Sequence, residues 1–231
     1  MCDRMGPLMV RTPTHTARRR ARPTPRRRRP PEMARQEILD AAERVFSASQ
    51  PDQVGLKEVA AEAGVSHALI THYFGTYAGL IEAALERRLR GLRETMLARL
   101  RVAGALHRPG ELLGLLFQAL EDPVHLRLMR WLMTSERPAA AHAFGLHDQG
   151  LAAIAVEVAR ALDPQPSAAL IHEIELTLLT AVSAAYGYAI SKDALVGALG
   201  QKPSAELDDE VRETLAVMVQ SHIRAALKRP A

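Results

Sequence analysis

The stretch from Leu56 to Phe74 holds the side chains best suited to chemistry. Two apolar-periodic segments, about Leu56 to Ala63 and 67–73, meet at Gly64-Val65-Ser66. On the second, Ile70, Tyr73 and Phe74 share one helical face, and His67, Ala68, Thr71 and His72 project from the other. Such an outer face suits a nucleic acid. Imidazoles and hydroxyls hydrogen-bond phosphates and base edges, and the threonine methyl fits a thymine methyl. Ser66 is placed to cap the second segment. The alternative for both histidines is an ordinary exposed residue, but within this motif DNA contact is favoured. Leu69 fits packing or thymine contact, and Lys57 fits phosphate contact or plain solvation.

Other chemistry finds no comparable constellation. No nucleophile–base or metal-ligand arrangement stands out, so no catalysis, metal or cofactor is expected. His142 and His147 are five apart, not the four of a helical metal pair. The single cysteine, Cys2, excludes a disulfide framework and a cysteine-based zinc finger, and points to a reducing compartment, the cytoplasm. No apolar run is read as reaching the roughly 18 residues of a membrane span, so no membrane partner is expected.

Charge is uneven. Residues 1–33 hold ten arginines against Asp3 and Glu32, a net of +8 in a chain of formal net charge +4, so residues 34–231 carry −4. Six prolines in the same stretch oppose helix. Together these predict a disordered arm over 1–33. No apolar core of a secretory signal follows, and the prolines oppose the amphipathic helix of a transit peptide. The arm binds phosphates without reading sequence, or is a solvated tail, or lies upstream of an alternative start at Met33.

The elements that position the motif are helical throughout. The chain has 231 residues, 48% hydrophobic and 4% aromatic, enough for a core without cross-links. Apolar residues recur at helical spacing, with no convincing strand. The pattern predicts helices over 33–48, 56–63, 67–73, 76–103, 110–121, 124–134, 139–161, 167–190 and 206–228, with a short piece at 193–199. The fold class is all-α.

Residues 35–85 resemble the DNA-binding domain of TetR-family regulators. The resemblance is carried by Ala41-Ala42-Glu43-Arg44-Val45-Phe46, Val59-Ala60-Ala61-Glu62-Ala63-Gly64-Val65-Ser66, His72-Tyr73-Phe74 and Leu80. It implies a helix-turn-helix domain over 34–80 and a ligand-binding and dimerisation domain over 81–231. It also implies DNA contacts from Lys57, Ser66, His67, Ala68, Thr71, His72, Tyr73 and Tyr77. There are departures. Val54 stands where the family often has a capping Thr, Thr71 where it has an aromatic, and Tyr77 where it has a phosphate-binding Lys. The Tyr77 hydroxyl would be a weaker phosphate donor than that charge.

In the second half, large and pliable side chains concentrate at His125, Met129, Trp131 and Met133, joined by Met96, Phe117, Phe144 and Tyr186. A methionine and aromatic stripe at helical spacing is commonly core. Under the resemblance, these residues and His142 line a cavity for an apolar or amphipathic ligand. Segment 167–190 is apolar almost all round, which calls for burial on two sides. Ile171, Ile174, Leu178, Val182 and Ala185, with Val211, Leu215, Met218 and His222, are the expected homodimer contacts, in a four-helix bundle about a two-fold axis; the other possibility is a monomeric core. The expected function is a ligand-responsive repressor that binds a palindromic site on double-stranded DNA as a dimer. The alternatives are an all-α small-molecule-binding protein or enzyme with an incidental helix-turn-helix, and sequence-blind compaction by the arm.

Overall fold

The computed structural model describes residues 30–102, 109–134 and 150–228. The Arg/Pro-rich stretch to Arg29, and the expected ligand contacts His142 and Phe144, lie outside these residues. So does His147.

Among the described residues every regular element is helical. In chain order these are α1 (Pro31–Ala48), a short 3-10 turn (Pro51–Gln53), α2 (Leu56–Ala63), α3 (His67–Phe74), α4 (Tyr77–Leu100), α5 (Pro109–Glu121), α6 (Pro123–Thr134), α7 (Leu151–Leu162), α8 (Ala168–Ala198) and α9 (Ala205–Leu227). Four of these open on proline, which needs no amide partner there and has its φ pre-set for a helix. For that reason α1 starts at Pro31 rather than at 33. The expected helix at 139–161 is described only from Leu151 onward. The two segments expected at 167–190 and 193–199 are the two limbs of α8, which breaks from helical geometry between them at Ser191, where φ is −116° and ψ 15°.

A compact head is made by α1, α2, α3 and the start of α4. Ile38, Leu39, Phe46, Val59, Ile70 and Leu80 meet there with essentially no exposure. The C-terminal end of α2 is Gly64 at φ +64°, the left-handed position where a side chain is strained. Helix α4 crosses from the head into the body without a break at 80–81, and the head's core continues through it to Leu128, Met129 and Tyr186. A second cluster joins Leu100 of α4 to α7 and α8 through Ile154, Val158 and Ile174.

By length and composition α8 could cross a membrane, contrary to the reading that no apolar run was long enough. Here it packs against α5, α6, α7 and α9, with about a fifth of its most apolar stretch buried.

Candidate nucleic-acid interface and effector cavity

Helix α3 is held from below and capped from in front. Ile70 is fully buried in the head. The Ser66 hydroxyl oxygen accepts from the Leu69 amide at 3.2 Å, as its position in the sequence suggested. With its oxygen occupied, the Ser66 hydroxyl proton is still free to be donated. His67, Ala68, Thr71 and His72 are exposed, as is Lys57 on α2. The Thr71 hydroxyl donates to the His67 carbonyl at 3.2 Å. It therefore offers outward an acceptor and a methyl, not a phosphate donor. The His72 ring meets Tyr73 edge-on at 5.3 Å, which limits its rotation.

Two expected contacts are corrected. The Tyr77 hydroxyl donates inward to the Pro51 carbonyl at 2.7 Å. Its ring is wedged edge-on between Phe46 and Trp131, and burial pushes its pKa up, helped by the charges of Asp52 and Glu58. A phenol so engaged has no proton left for a phosphate, and Tyr77 ties head to body. Tyr73 is half-buried against the head's core rather than free on the outer face. As Val54 suggested, no side chain before α2 caps its first amides; Glu58 reaches back instead, its carboxylate accepting from the Gly55 amide at 2.9 Å.

Two residues escaped the sequence reading. The Arg35 guanidinium sits 5.3 Å from the centroid of Phe74, a cation placed beside the end of α3. Gly79 lets α4 start close to α3, because a Cβ there would lie 2.2 Å from the Phe74 carbonyl oxygen. Its amide is capped by Thr76 at 3.0 Å. A glycine after an Ser/Thr cap was the only hint of this in the sequence.

Residues 38–84 match the sequence profile of the bacterial regulatory proteins of the tetR family. These residues make a TetR-family domain. Two Mycobacterium tuberculosis proteins named uncharacterized HTH-type transcriptional regulators, MT1294 and Rv1255c, are each 31% identical over 138 residues. The match covers 58% of this chain and 65% of theirs, so the chain spans less than two thirds of those relatives. A TetR-family regulator from Streptomyces coelicolor shares the fold with a TM-score of 0.55 at 24% identity, over 85% of this chain and 89% of that one. NalD of Pseudomonas aeruginosa, a secondary repressor of the MexAB-OprM multidrug efflux pump, does so with a TM-score of 0.52 at 18% identity, over 83% and 95%.

Behind the TetR-family domain, α4, α5, α7 and α8 surround a cavity of about 310 Å³. Leu89, Leu92, Met96, Leu116, Ile154, Val182 and Tyr186 line it, with Glu86, Arg90 and Arg93 at its rim. Of the expected ligand contacts in the described residues, only Met96 and Tyr186 face it. Met129 is fully buried core, Met133 is exposed, Trp131 packs on Tyr77, and Phe117 borders a separate groove beside α9. His125 stands behind the cavity, its Nε2 2.7 Å from the Tyr186 hydroxyl. Burial pushes the His125 pKa down to about 4, with the charge of Arg88 adding to this and Asp122 opposing it. Burial raises Tyr186, so both partners are neutral near pH 7.

A polar chain runs from this pair to the TetR-family domain. Asp122 accepts from the amides of Val124 and His125 at 2.8 and 3.3 Å, capping α6. Burial pushes Asp122 up, but the Arg88 guanidinium and the Val124 amide hold its pKa below the usual value. Arg88 also reaches Glu43 of α1 at 2.9 Å. Glu43 in turn holds Arg87, which pairs with Asp40 at 2.6 Å. Beside it, Arg127 of α6 donates to the carbonyls of Phe46 and Ser47 at the end of α1, at 2.9 and 2.7 Å.

The expected dimer contacts divide. Ile174 and Ala185 are buried inside the subunit, while Ile171, Leu178, Val182, Val211 and Leu215 are partly buried against its cores. These seven serve the subunit's own packing first. Met218 and His222 are exposed. The outward side of α8 and α9 carries Leu176, Leu179, Val217 and Met218, with the last three 55–63% exposed.

Proposed function

We propose that this protein is a transcriptional regulator that reads duplex DNA with α3 and works as a homodimer. The observation that carries the reading is the polarity of α3, with Ile70 sealed in the head and His67, Ala68, Thr71 and His72 open to solvent. A helix so presented enters a major groove, and a two-fold pair of them reads half-sites about one turn of DNA apart or a multiple of it. Lys57 and the Ser66 hydroxyl serve phosphates, and Arg35 joins them from α1. The exposed apolar side of α8 and α9 supplies the partner contact, giving a four-helix bundle. The Arg-rich arm adds affinity that depends on salt and not on sequence. The setting is the cytoplasm, and the role is regulatory, not catalytic.

Repression with release by a small molecule is the favoured mode, as NalD's description as a repressor suggests. The cavity is the effector site, since α4 forms both its wall and the floor of the head. A ligand moves the two α3 helices only if it prefers one arrangement of α4 over another. Selection of bound sequences from random duplexes, using the full chain, tests the reading. The expected product is a palindromic site that survives moderate salt. Absence of enrichment would overturn it in favour of an all-α carrier or enzyme, or of sequence-blind binding by the arm.

A further inference from the structure

The cavity has three chemically distinct parts. Its walls are aliphatic and thioether. Tyr186 adds an aromatic face, its hydroxyl paired with His125 and uncharged. Its rim carries ions, and these do not cancel. Glu86 holds Arg90 at 2.6 Å. Arg93, also on the rim and half-buried, has no carboxylate within salt-bridge distance among the described residues. Among the described residues, one carboxylate against two guanidiniums leaves the lining at +1.

We infer that the effector is an amphipathic organic monoanion, with its anionic head on Arg93 and its apolar body along Leu89, Leu92, Met96 and Ile154. The inference rests on the reading of this cavity as the effector site. A planar guanidinium matches a carboxylate in two-point geometry. Low-dielectric walls strengthen the attraction over its value in open water. An alcohol of the same length gains the walls but not the charge, and an amine meets repulsion. A space of 310 Å³ equals about ten water volumes, which suits a ligand of about a dozen non-hydrogen atoms.

Decanoate, decanol and decylamine are matched probes of that size. Binding is measured calorimetrically to the full chain, below the concentrations at which the probes self-associate. The expected order is decanoate, then decanol, then decylamine, with the acid about tenfold tighter than the alcohol. Arg93→Gln should bring decanoate to the level of decanol and leave decanol unchanged. Arg93→Lys should keep part of the preference. Arg99→Gln, exposed on α4 away from the cavity, should change nothing. Melting temperature reports whether each variant stays folded. Equal binding of the three probes, no binding of any, or a preference that survives Arg93→Gln overturns the inference. The duplex selection stands apart from this. A palindrome without carboxylate preference leaves the regulator and removes the anion; carboxylate preference without sequence enrichment does the reverse.

Discussion

The head and the far side of the body solve the problem of apolar surface in opposite ways. In the head, four short elements close on one another, and Ile38, Phe46, Val59, Ile70 and Leu80 all disappear within a single chain. Its helix ends are capped by Glu58, Ser66, Thr76 and Arg127. On the far side, α9 runs for 23 residues without one buried side chain. Its own Val217 and Met218 stay open, as does Leu179 of α8. The head is finished within one subunit, whereas α8 and α9 leave an apolar side open to solvent. Under the proposed function, sequence recognition and subunit pairing depend on separate parts of the chain and can be damaged separately.

The largest expected effect tests that separation. Ile70→Ala should cost about 2–5 kcal/mol of stability, the range for an aliphatic side chain deleted from a closed core. Leu179→Glu should leave helix content and the monomer's melting nearly intact while abolishing the dimer, since its side chain is 55% exposed in the subunit. Circular dichroism and sedimentation at micromolar concentration read the two outcomes. If Leu179→Glu unfolds the chain as fully as Ile70→Ala does, the far side belongs to the subunit's own core and the comparison breaks.

The body also hides an ionisable base. Folded His125 titrates near pH 4 against an ordinary value of 6.5, so between those values the unfolded chain binds more protons than the folded one. Stability then rises with pH through that window and falls as the solution is acidified from 6.5 toward 4. The full loss is about 3 kcal/mol, spread over that interval. Thermal melts from pH 7.5 to pH 5 should show a steep decline in wild type and a flatter one in His125→Gln. Parallel curves would mean that His125 is solvated in the folded protein.

A third effect lies on DNA affinity alone. His72→Ala should weaken operator binding by about 1–3 kcal/mol if the imidazole reads a base, with melting unchanged. Thr71→Ala should lose less, because its hydroxyl proton is already given to the His67 carbonyl. A scrambled duplex supplies the control. If both variants keep the wild-type ratio of operator to scrambled affinity, the reading face lies elsewhere on α3.

How much of this was legible beforehand follows the same division. The head's helices, the Gly64 turn and the Ser66 cap were written in local spacing, and the structure keeps them. Residues whose role depends on distant partners were not legible. Tyr77 looks like a free phenol until the carbonyl of Pro51, 26 residues earlier, accepts its hydrogen bond. Pro31 looks like a breaker and is instead the first residue of α1. Helix α8 is apolar all round, so sequence showed that it must be covered twice but not which side each cover takes. Ile174 and Ala185 turned out to face inward. In α6 the Met129 and Trp131 stripe is core and contact between head and body, and the cavity opens one helix away. The residues that shape it, Leu92 and Arg93 among them, look like any face of a long charged helix.

The smallest effect concerns the seam between the two regions. Glu43 in the head and Tyr186 at the cavity touch neither each other nor a common side chain, yet the chain through Arg88, Asp122 and His125 joins them. Separated sites with no shared partners add within about 0.3–0.5 kcal/mol, whereas members of one polar network couple by about 0.5–3 kcal/mol. Glu43→Gln removes the carboxylate charge that holds both Arg87 and Arg88, and Tyr186→Phe removes only the hydroxyl facing His125. In a double-mutant cycle read by denaturant unfolding, coupling near the bottom of the network range, about 0.5 kcal/mol, is expected, because the path passes through a helix N-terminus rather than through side chains alone. The cycle Glu43→Gln with Leu179→Ala pairs the head with a residue outside the polar chain and should be additive. If both cycles are additive, the head and the cavity communicate through the packing of α4 and not through its arginines.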